Sequence, residues 1–591
     1  MRTGAGYTRA MFDPITPESP VADSRASANP MTWLAPDMAD QADQTWQGWL
    51  SHFTFGLTPA GLAETGFAWL SHLTLCPGRL AELAVLPLTH LHDPFAEGPR
   101  DSRFRSELWK QWPWRQYVQN FHLAQAFWDR ATLDIPGLAP AHARSINFVA
   151  HQVLNALSPA NFWLTNPEIQ KAVRQSGGQN LVQGLIHFYE DWQRRVTGQR
   201  PKGMDAFIPG RTVAVTPGRV VFRNDLIELI QYAPQTADVH AAPVLILPAW
   251  IMKYYILDLS PHNSLVKWLV GQGHTVFMVS WKNPGSVDRD KGMDDYMRDG
   301  ALAALDAVSD IVPGQKVNLA GYCLGGTLAL ILAAWLAVKR DDRLQSLSLF
   351  AAQGDFTEAG ELSVFVTDSE VAYLKNMMRA QGYLDTRQMA GAFQMLRSSE
   401  SLWSHIVRDY WLGQRAEMFD LLAWNADATR MPYRMHSEYL EKLFLQNAFI
   451  NGHYRVLGET VAPENITLPV FAVGTESDHV APWRSVYKVH QFTAGDVTFA
   501  LTNGGHNAGI VSEPGRTDRH YCLAEHKAGT PLQSPDDWRA GAPCHTGSWW
   551  LAWDDWLSRQ DKAARQSAPV AFGNARFPPL EAAPGLYVHQ P

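Results

Sequence analysis

Val317-Asn318-Leu319-Ala320-Gly321-Tyr322-Cys323-Leu324-Gly325-Gly326-Thr327 reads as a strand, a sharp turn and the start of a helix. The run up to Ala320 has strand character, and from Thr327 to Val338 the chain is almost wholly apolar and helix-forming. Between them lies Gly321-x-Cys323-x-Gly325, the spacing of a nucleophile elbow with cysteine in place of serine. Sterics explain the spacing. So tight a turn strains the nucleophile's backbone, and side chains two positions to either side would strike the adjoining strands and helix. The N–H groups of Leu324 and Gly325 then face outward at a helix start, where they favour a thiolate and can take up an oxyanion. A buried cysteine in a glycine-rich turn is the plain alternative; strand before and helix after speak against it.

Outward from this turn, short apolar runs alternate with helix-length stretches. Runs 244–247, 275–279, 317–320, 347–351, 469–473 and 497–501 read as strands, preceded by 211–215, 219–222 and 226–232 joined by short turns. That alternation predicts an α/β architecture, a mostly parallel sheet covered on both faces. Residues 46–205 form a separate helical domain by their spacing of three and four, with Thr165 or Asn166 placed to cap a helix beginning at Pro167. Residues 1–45, rich in Ala, Pro, Ser, Asp and Thr, read as a flexible tail. Within the catalytic part, 206–591, the interval of about 357–451 is helical with no convincing strand, an insertion able to cap the site.

Composition narrows the classes. A net charge of −8 without a long basic run argues against nucleic acid as the main partner. The longest uninterrupted apolar run, 328–338, is about half the ~20 residues of a transmembrane helix. No apolar leader is evident near Met1, so a cytoplasmic location is expected. Cys76, Cys323, Cys522 and Cys544 show neither CxxC pairs nor metal-ligand spacing, and neither a disulfide framework nor a zinc site is expected. The 23 tryptophans read mainly as core or domain-interface residues.

An elbow enzyme takes its acid and its histidine, in that order, from loops after later strands. His506, in Asn503-Gly504-Gly505-His506-Asn507 directly after the run 497–501, is the candidate base. Two carboxylates compete: Asp355 after 347–351 and Asp478 after 469–473. Asp478 is favoured for the short loop that follows its strand and Gly474. His479 beside it would lie near the mouth of the site and could help to position substrate.

Beyond these residues, Gly321–Thr327 resembles the lipase-like box of the poly(3-hydroxyalkanoate) synthases. The resemblance runs from about Asp101 to Val588. It includes Ser158-Pro159-Ala160-Asn161-Phe162, Lys253-Tyr254-Tyr255-Ile256-Leu257-Asp258-Leu259, Ser280-Trp281-Lys282-Asn283-Pro284, Asp478-His479-Val480-Ala481-Pro482-Trp483 and Gly547-Ser548-Trp549-Trp550. It implies an α/β-hydrolase fold with a helical cap insertion behind a helical N-terminal domain, homodimerisation, and association with polyester granules. Cys323 matches the family's nucleophile, Asp478 its acid and His506 its base. Ala249, Met252 and Asn507 depart from its common pattern, Asn507 standing where a hydrophobic residue is usual.

The implied reaction polymerises (R)-3-hydroxyacyl-coenzyme A into polyester through a thioester on Cys323, with release of coenzyme A. Cysteine suits it, because exchange of one thioester for another keeps the acyl group activated. Expected oxyanion donors are the N–H of Leu324 and one near Trp250 or Ile251; Arg397 is a candidate contact for a coenzyme A phosphate. No metal or redox cofactor is implied. The alternatives are a cysteine thioesterase or polyester depolymerase, and a granule-binding protein that has lost activity.

Overall fold

The computed structural model describes residues 58–89, 95, 101–386, 388–389, 398 and 402–591. The expected tail, 1–45, lies outside them, as does Arg397.

Six helices open the described chain: α1 (Pro59–Thr74), α2 (Pro77–Thr89), α3 (Trp114–Thr132), α4 (Pro140–Ala156), α5 (Pro167–Ser176) and α6 (Gln179–Thr197). The cap of α5 is Asn166, whose side chain accepts the N–H groups of Glu168 at 2.8 Å and Ile169 at 3.2 Å, with Pro167 at the first helical position. Two small apolar cores hold the early helices: Leu73, Leu83, Ala131 and Ile135 in one, Phe104, Trp109, Val118 and Phe121 in the other. Helix α6 is attached differently. Its Gly184 lies against the Tyr410 carbonyl, where a Cβ would come within 1.8 Å, and Asn180 donates to the Trp411 carbonyl at 2.8 Å.

Ten strands then build one sheet: β1 (Gly218–Arg223), β2 (Ile227–Tyr232), β3 (Val244–Leu247), β4 (Val276–Trp281), β5 (Val317–Tyr322), β6 (Leu344–Phe350), β7 (Val470–Thr475), β8 (Val497–Thr502), β9 (His520–His526) and β10 (Cys544–Thr546). Their order is β1-β2-β4-β3-β5-β6-β7-β8-β9-β10. The six from β4 to β8 are parallel, with antiparallel pairing at both edges. Strand β3 shows why: Val244 and Ile246 enter the core on one face, Leu245 and Leu247 the core on the other. Helix α7 (Leu324–Lys339) fills the first layer, buried nearly all round, as its uniform apolarity requires. On the opposite face Trp549, Trp550, Trp553 and Trp556 are buried.

Helix α8 (Asp368–Gln381) and helix α9 (Tyr433–Tyr439) belong to the interval between β6 and β7; α10 is Trp550–Gln560. The chain from α9 passes directly into a π-helical turn, Leu440–Leu445, and a second π turn spans Ile406–Trp411. This interval meets the sheet domain through Thr429, whose hydroxyl donates to the Trp250 carbonyl at 2.6 Å. Among the described residues no helix is long and apolar enough to cross a membrane.

Four differences from the sequence reading have local causes. Residues 211–215 are a turn with a single bridge, Pro209 to Val213, because the Thr212 hydroxyl donates to the Ala206 carbonyl and accepts from the Ile208 N–H, closing a compact loop. Strands β9 and β10 went unread, since His520, Glu525 and His526 break any apolar alternation at an exposed edge. Their pairing puts Cys522 opposite Cys544 and joins them as a disulfide, correcting the expectation drawn from their separation in sequence. In the cap interval, Tyr383–Leu384 pairs with Met431–Pro432, a two-residue ladder too short to leave a periodic signal.

Candidate active site

Cys323 caps α7 directly after β5, with φ +53° and ψ −122°. A positive φ at a residue with a side chain is strained, and the surroundings enforce it. Its N–H donates to the Phe350 carbonyl of β6 at 2.9 Å, and its carbonyl accepts from Gly326 at 2.9 Å. The flanking glycines are required by close approach: a Cβ on Gly321 would lie 2.4 Å from the Gly326 Cα, and one on Gly325 2.0 Å from the Leu247 carbonyl oxygen. The contact at Gly325 also presses the end of β3 against the start of α7, bringing the loop of Trp250 and Ile251 to the elbow.

His506 and Asp478 meet from the ends of neighbouring parallel strands, β8 and β7. The His506 Nδ1 lies 2.8 Å from Asp478 Oδ2, which also accepts the Thr475 hydroxyl at 3.1 Å. The other carboxylate oxygen accepts the N–H groups of Val480 at 2.9 Å and Ala481 at 2.8 Å. Burial alone would raise the Asp478 pKa, but the His506 charge and these hydrogen bonds outweigh it and hold the acid below its ordinary range. For His506 burial opposes charge, while Asp478 and then Cys323, through charge and hydrogen bonding, hold the imidazole well above its ordinary value. Carboxylate and imidazole are thus directly joined, with the Cys323 sulfur near enough to act on the imidazole's charge, an arrangement suited to nucleophilic acyl transfer.

The other candidates fall elsewhere. Asp355 is spent on structure: its Oδ1 accepts from the Thr357 N–H at 2.8 Å and from Asn447 at 2.8 Å, and its Oδ2 lies 3.3 Å from the Lys488 ammonium. His479 turns toward the cap interval, its Nδ1 3.2 Å from Glu361. The Trp250 indole is buried between Trp281 and Tyr296, so only its backbone is available to the site; the carbonyl of Ile251 accepts the Thr429 N–H at 3.1 Å. The N–H of Leu324, at the first position of α7, remains a candidate oxyanion donor.

Two residues close to the site escaped the sequence reading. Tyr439, at the end of α9, is close enough to Cys323 for the sulfur's charge, after burial, to raise its phenol pKa. Tyr322 is buried beside Cys323, and its hydroxyl donates to Asn507 Oδ1 at 2.5 Å. The loop of His506 is held from a distance as well: the Trp549 and Trp550 indoles donate to the carbonyls of Gly509 and Ile510, each at 3.0 Å. Only the Gly-Ser-Trp-Trp run hinted at this clamp.

The chain is similar to known proteins over most of its length. Residues 100–269 match the family described as poly-beta-hydroxybutyrate polymerase (PhaC) N-terminus, and residues 242–513 match the alpha/beta hydrolase fold. A poly(3-hydroxyalkanoate) polymerase of Methylorubrum extorquens is 38% identical over 528 residues, covering 88% of this chain and 84% of its own. A poly(3-hydroxyalkanoate) polymerase subunit PhaC of Cupriavidus necator is 35% identical over 581 residues, covering 95% of each chain.

Proposed function

The chain belongs to the poly(3-hydroxyalkanoate) polymerase family, acyltransferases on an α/β-hydrolase fold, and on that premise we propose that Cys323 carries the growing polyester as a thioester. The observation that supports this most directly is the Asp478–His506 hydrogen bond set beside Cys323 at the strained elbow.

His506 takes the Cys323 thiol proton, and the Asp478 carboxylate stabilises the imidazolium. The sulfur attacks the carbonyl of (R)-3-hydroxyacyl-coenzyme A; a new C–S bond forms, the bond to coenzyme A breaks, and the leaving thiolate takes the proton. The N–H of Leu324, with one from the Trp250–Ile251 loop, would hold the oxyanion. His506 then withdraws the 3-hydroxyl proton of an incoming (R)-3-hydroxyacyl-coenzyme A, whose oxygen attacks the Cys323 thioester. An ester bond forms, the bond to the Cys323 sulfur breaks, and the freed thiolate takes the proton from His506. The chain, now one unit longer and held on coenzyme A, returns to Cys323 by the same thioester exchange, releasing coenzyme A, and the cycle repeats. A positioned base of this kind contributes about 10²–10⁴-fold. The chemistry calls for no resident metal or redox cofactor; coenzyme A is the acyl carrier. The enzyme would act as a homodimer in the cytoplasm, at the surface of polyester granules.

The test is incubation with short- and medium-chain (R)-3-hydroxyacyl-coenzyme A, scoring released thiol and insoluble polyester together. Wild-type protein should yield both, and Cys323→Ala neither. Free hydroxy acid without polyester would identify a hydrolase, and polymer from the alanine variant would end the reading.

A further inference from the structure

The contact to Asp478 holds one edge of the His506 ring and does not by itself fix rotation about that contact. The backbone leading into it is Asn503-Gly504-Gly505, with Gly504 at φ +100°, a conformation that lends little stiffness of its own. The Ser477 N–H donates to the Gly504 carbonyl at 2.9 Å at one end of the loop, and the two tryptophans hold the other at Gly509 and Ile510. Between these anchors, beside the interaction of His506 with Cys323 itself, a side-chain hydrogen bond ties the loop to the elbow: Tyr322 Oη to Asn507 Oδ1.

Its placement is specific. Tyr322 precedes the nucleophile by one residue and Asn507 follows the base by one, so the bond spans the gap that the reacting proton crosses. The Tyr322 ring also lies 5.6 Å from the imidazole, tilted by 34°, and walls one side of it. The phenol is 2% exposed and rooted in the last residue of β5, which pairs with β6 through Phe350. A hydrogen bond from a buried hydroxyl is costly to break, because water does not readily reach the phenol to replace its partner.

We propose that Tyr322 and Asn507 form a strut that sets the separation of Cys323 and His506, both acting as positioning residues for acyl transfer. The strut rests on the reading of Cys323 and His506 given above. Geometry near a reacting centre is steeply rewarded: a displacement of about 1 Å can cost about 10²-fold in rate. Loss of the strut lets the imidazole swing while leaving the substrate pocket intact, so turnover falls and substrate affinity does not.

Four proteins decide the matter: Tyr322→Phe, Asn507→Leu, the double variant and Cys323→Ala, assayed with 3-hydroxybutyryl-coenzyme A. Steady-state thiol release gives kcat and KM, rapid mixing with peptide mass gives the rate of Cys323 acylation, and thermal melts report folding. Each single variant should lose about tenfold or more in kcat and acylation rate, with KM within about twofold. The double variant should be no slower than the slower single, since one strut is broken either way. A Tyr322→Phe enzyme within about twofold of wild type, losses that multiply in the double variant, or KM rising in step with falling kcat would each overturn the proposal. Should Asn507→Leu fail to fold, Tyr322→Phe decides alone, since it lacks a single oxygen. Thiol release surviving in Cys323→Ala would instead strike the underlying mechanism, whereas an inactive Cys323→Ala beside a fully active Tyr322→Phe would strike the strut only.

Discussion

Helices α7 and α6 are both dense in apolar residues, and the protein uses them in opposite ways. In α7 nearly every side chain from Leu324 to Leu336 is buried, between the sheet and the elements packed over it. In α6 the buried residues are Asn180, Gly184 and His187, while Val182, Leu185, Ile186, Tyr189, Trp192 and Val196 face solvent. The helix that Cys323 caps is thus held by hydrophobic burial on all sides. Helix α6 is held by polar and backbone contacts: Asn180 to Trp411, Gly184 against Tyr410, and Asp191 paired with Arg415 at 2.7 Å. Apolar content alone therefore does not locate a core; what matters is whether an element has partners for the face it presents.

The contrast can be broken most forcefully at Gly325. An alanine there would set its Cβ 2.0 Å from the Leu247 carbonyl oxygen, with core on either side and no room to yield. Gly325→Ala should cost roughly 4 kcal/mol or more and abolish activity; thermal melting and thiol release check both, and a folded, active variant would show that β3 and α7 are less closely locked than described.

Acid should sharpen the same contrast to a lesser degree. Burial holds His490 down to about 4 and His436 to about 3, so both are neutral in the folded protein at neutral pH. An unfolded chain protonates them near pH 6.5, so each begins to favour unfolding below that pH. Stability should be level in this respect above pH 6.5 and fall as pH drops toward about 4, the His490 contribution reaching about 3 kcal/mol. Melts between pH 4 and 7 should show a shallower decline for His490→Asn than for wild type; parallel curves would refute the assignment.

The smallest effect is expected on α6. Replacing Leu185 and Trp192 by serine removes side chains that are already 67% and 53% exposed, so stability should change by no more than about 0.5 kcal/mol per site. A large loss in denaturant titration would mean that this stripe is covered in solution.

The same reasoning explains what could be read from the chain alone. The elbow was legible because its glycines answer to sterics that any such turn meets, and the structure finds those collisions at Gly321 and Gly325. Strands such as Val244–Leu247 were legible because burial on both faces leaves a continuous apolar run. Chain order, the short loop after Gly474 and the family resemblance brought forward His506 and Asp478, which the structure places 2.8 Å apart, while Asp355 proves committed to Thr357, Asn447 and Lys488. Tyr439 and the Tyr322–Asn507 bond carry no local signal, since each depends on two distant segments meeting. Edge strand β10 was hidden because all three of its residues are exposed and bear no pattern of burial.

The tryptophan clamp has a practical corollary. Between the loop of His506 and the indoles that hold it, the chain makes an outward excursion through β9 and β10, and its residues 527–534 are exposed throughout. Because Gly509 and Ile510 are secured from α10 and its preceding residue, not from that tip, the tip is a natural port for grafting. A reporter domain or affinity peptide spliced near Thr530 would hang from the outer rim of the sheet and leave the imidazole where it stands.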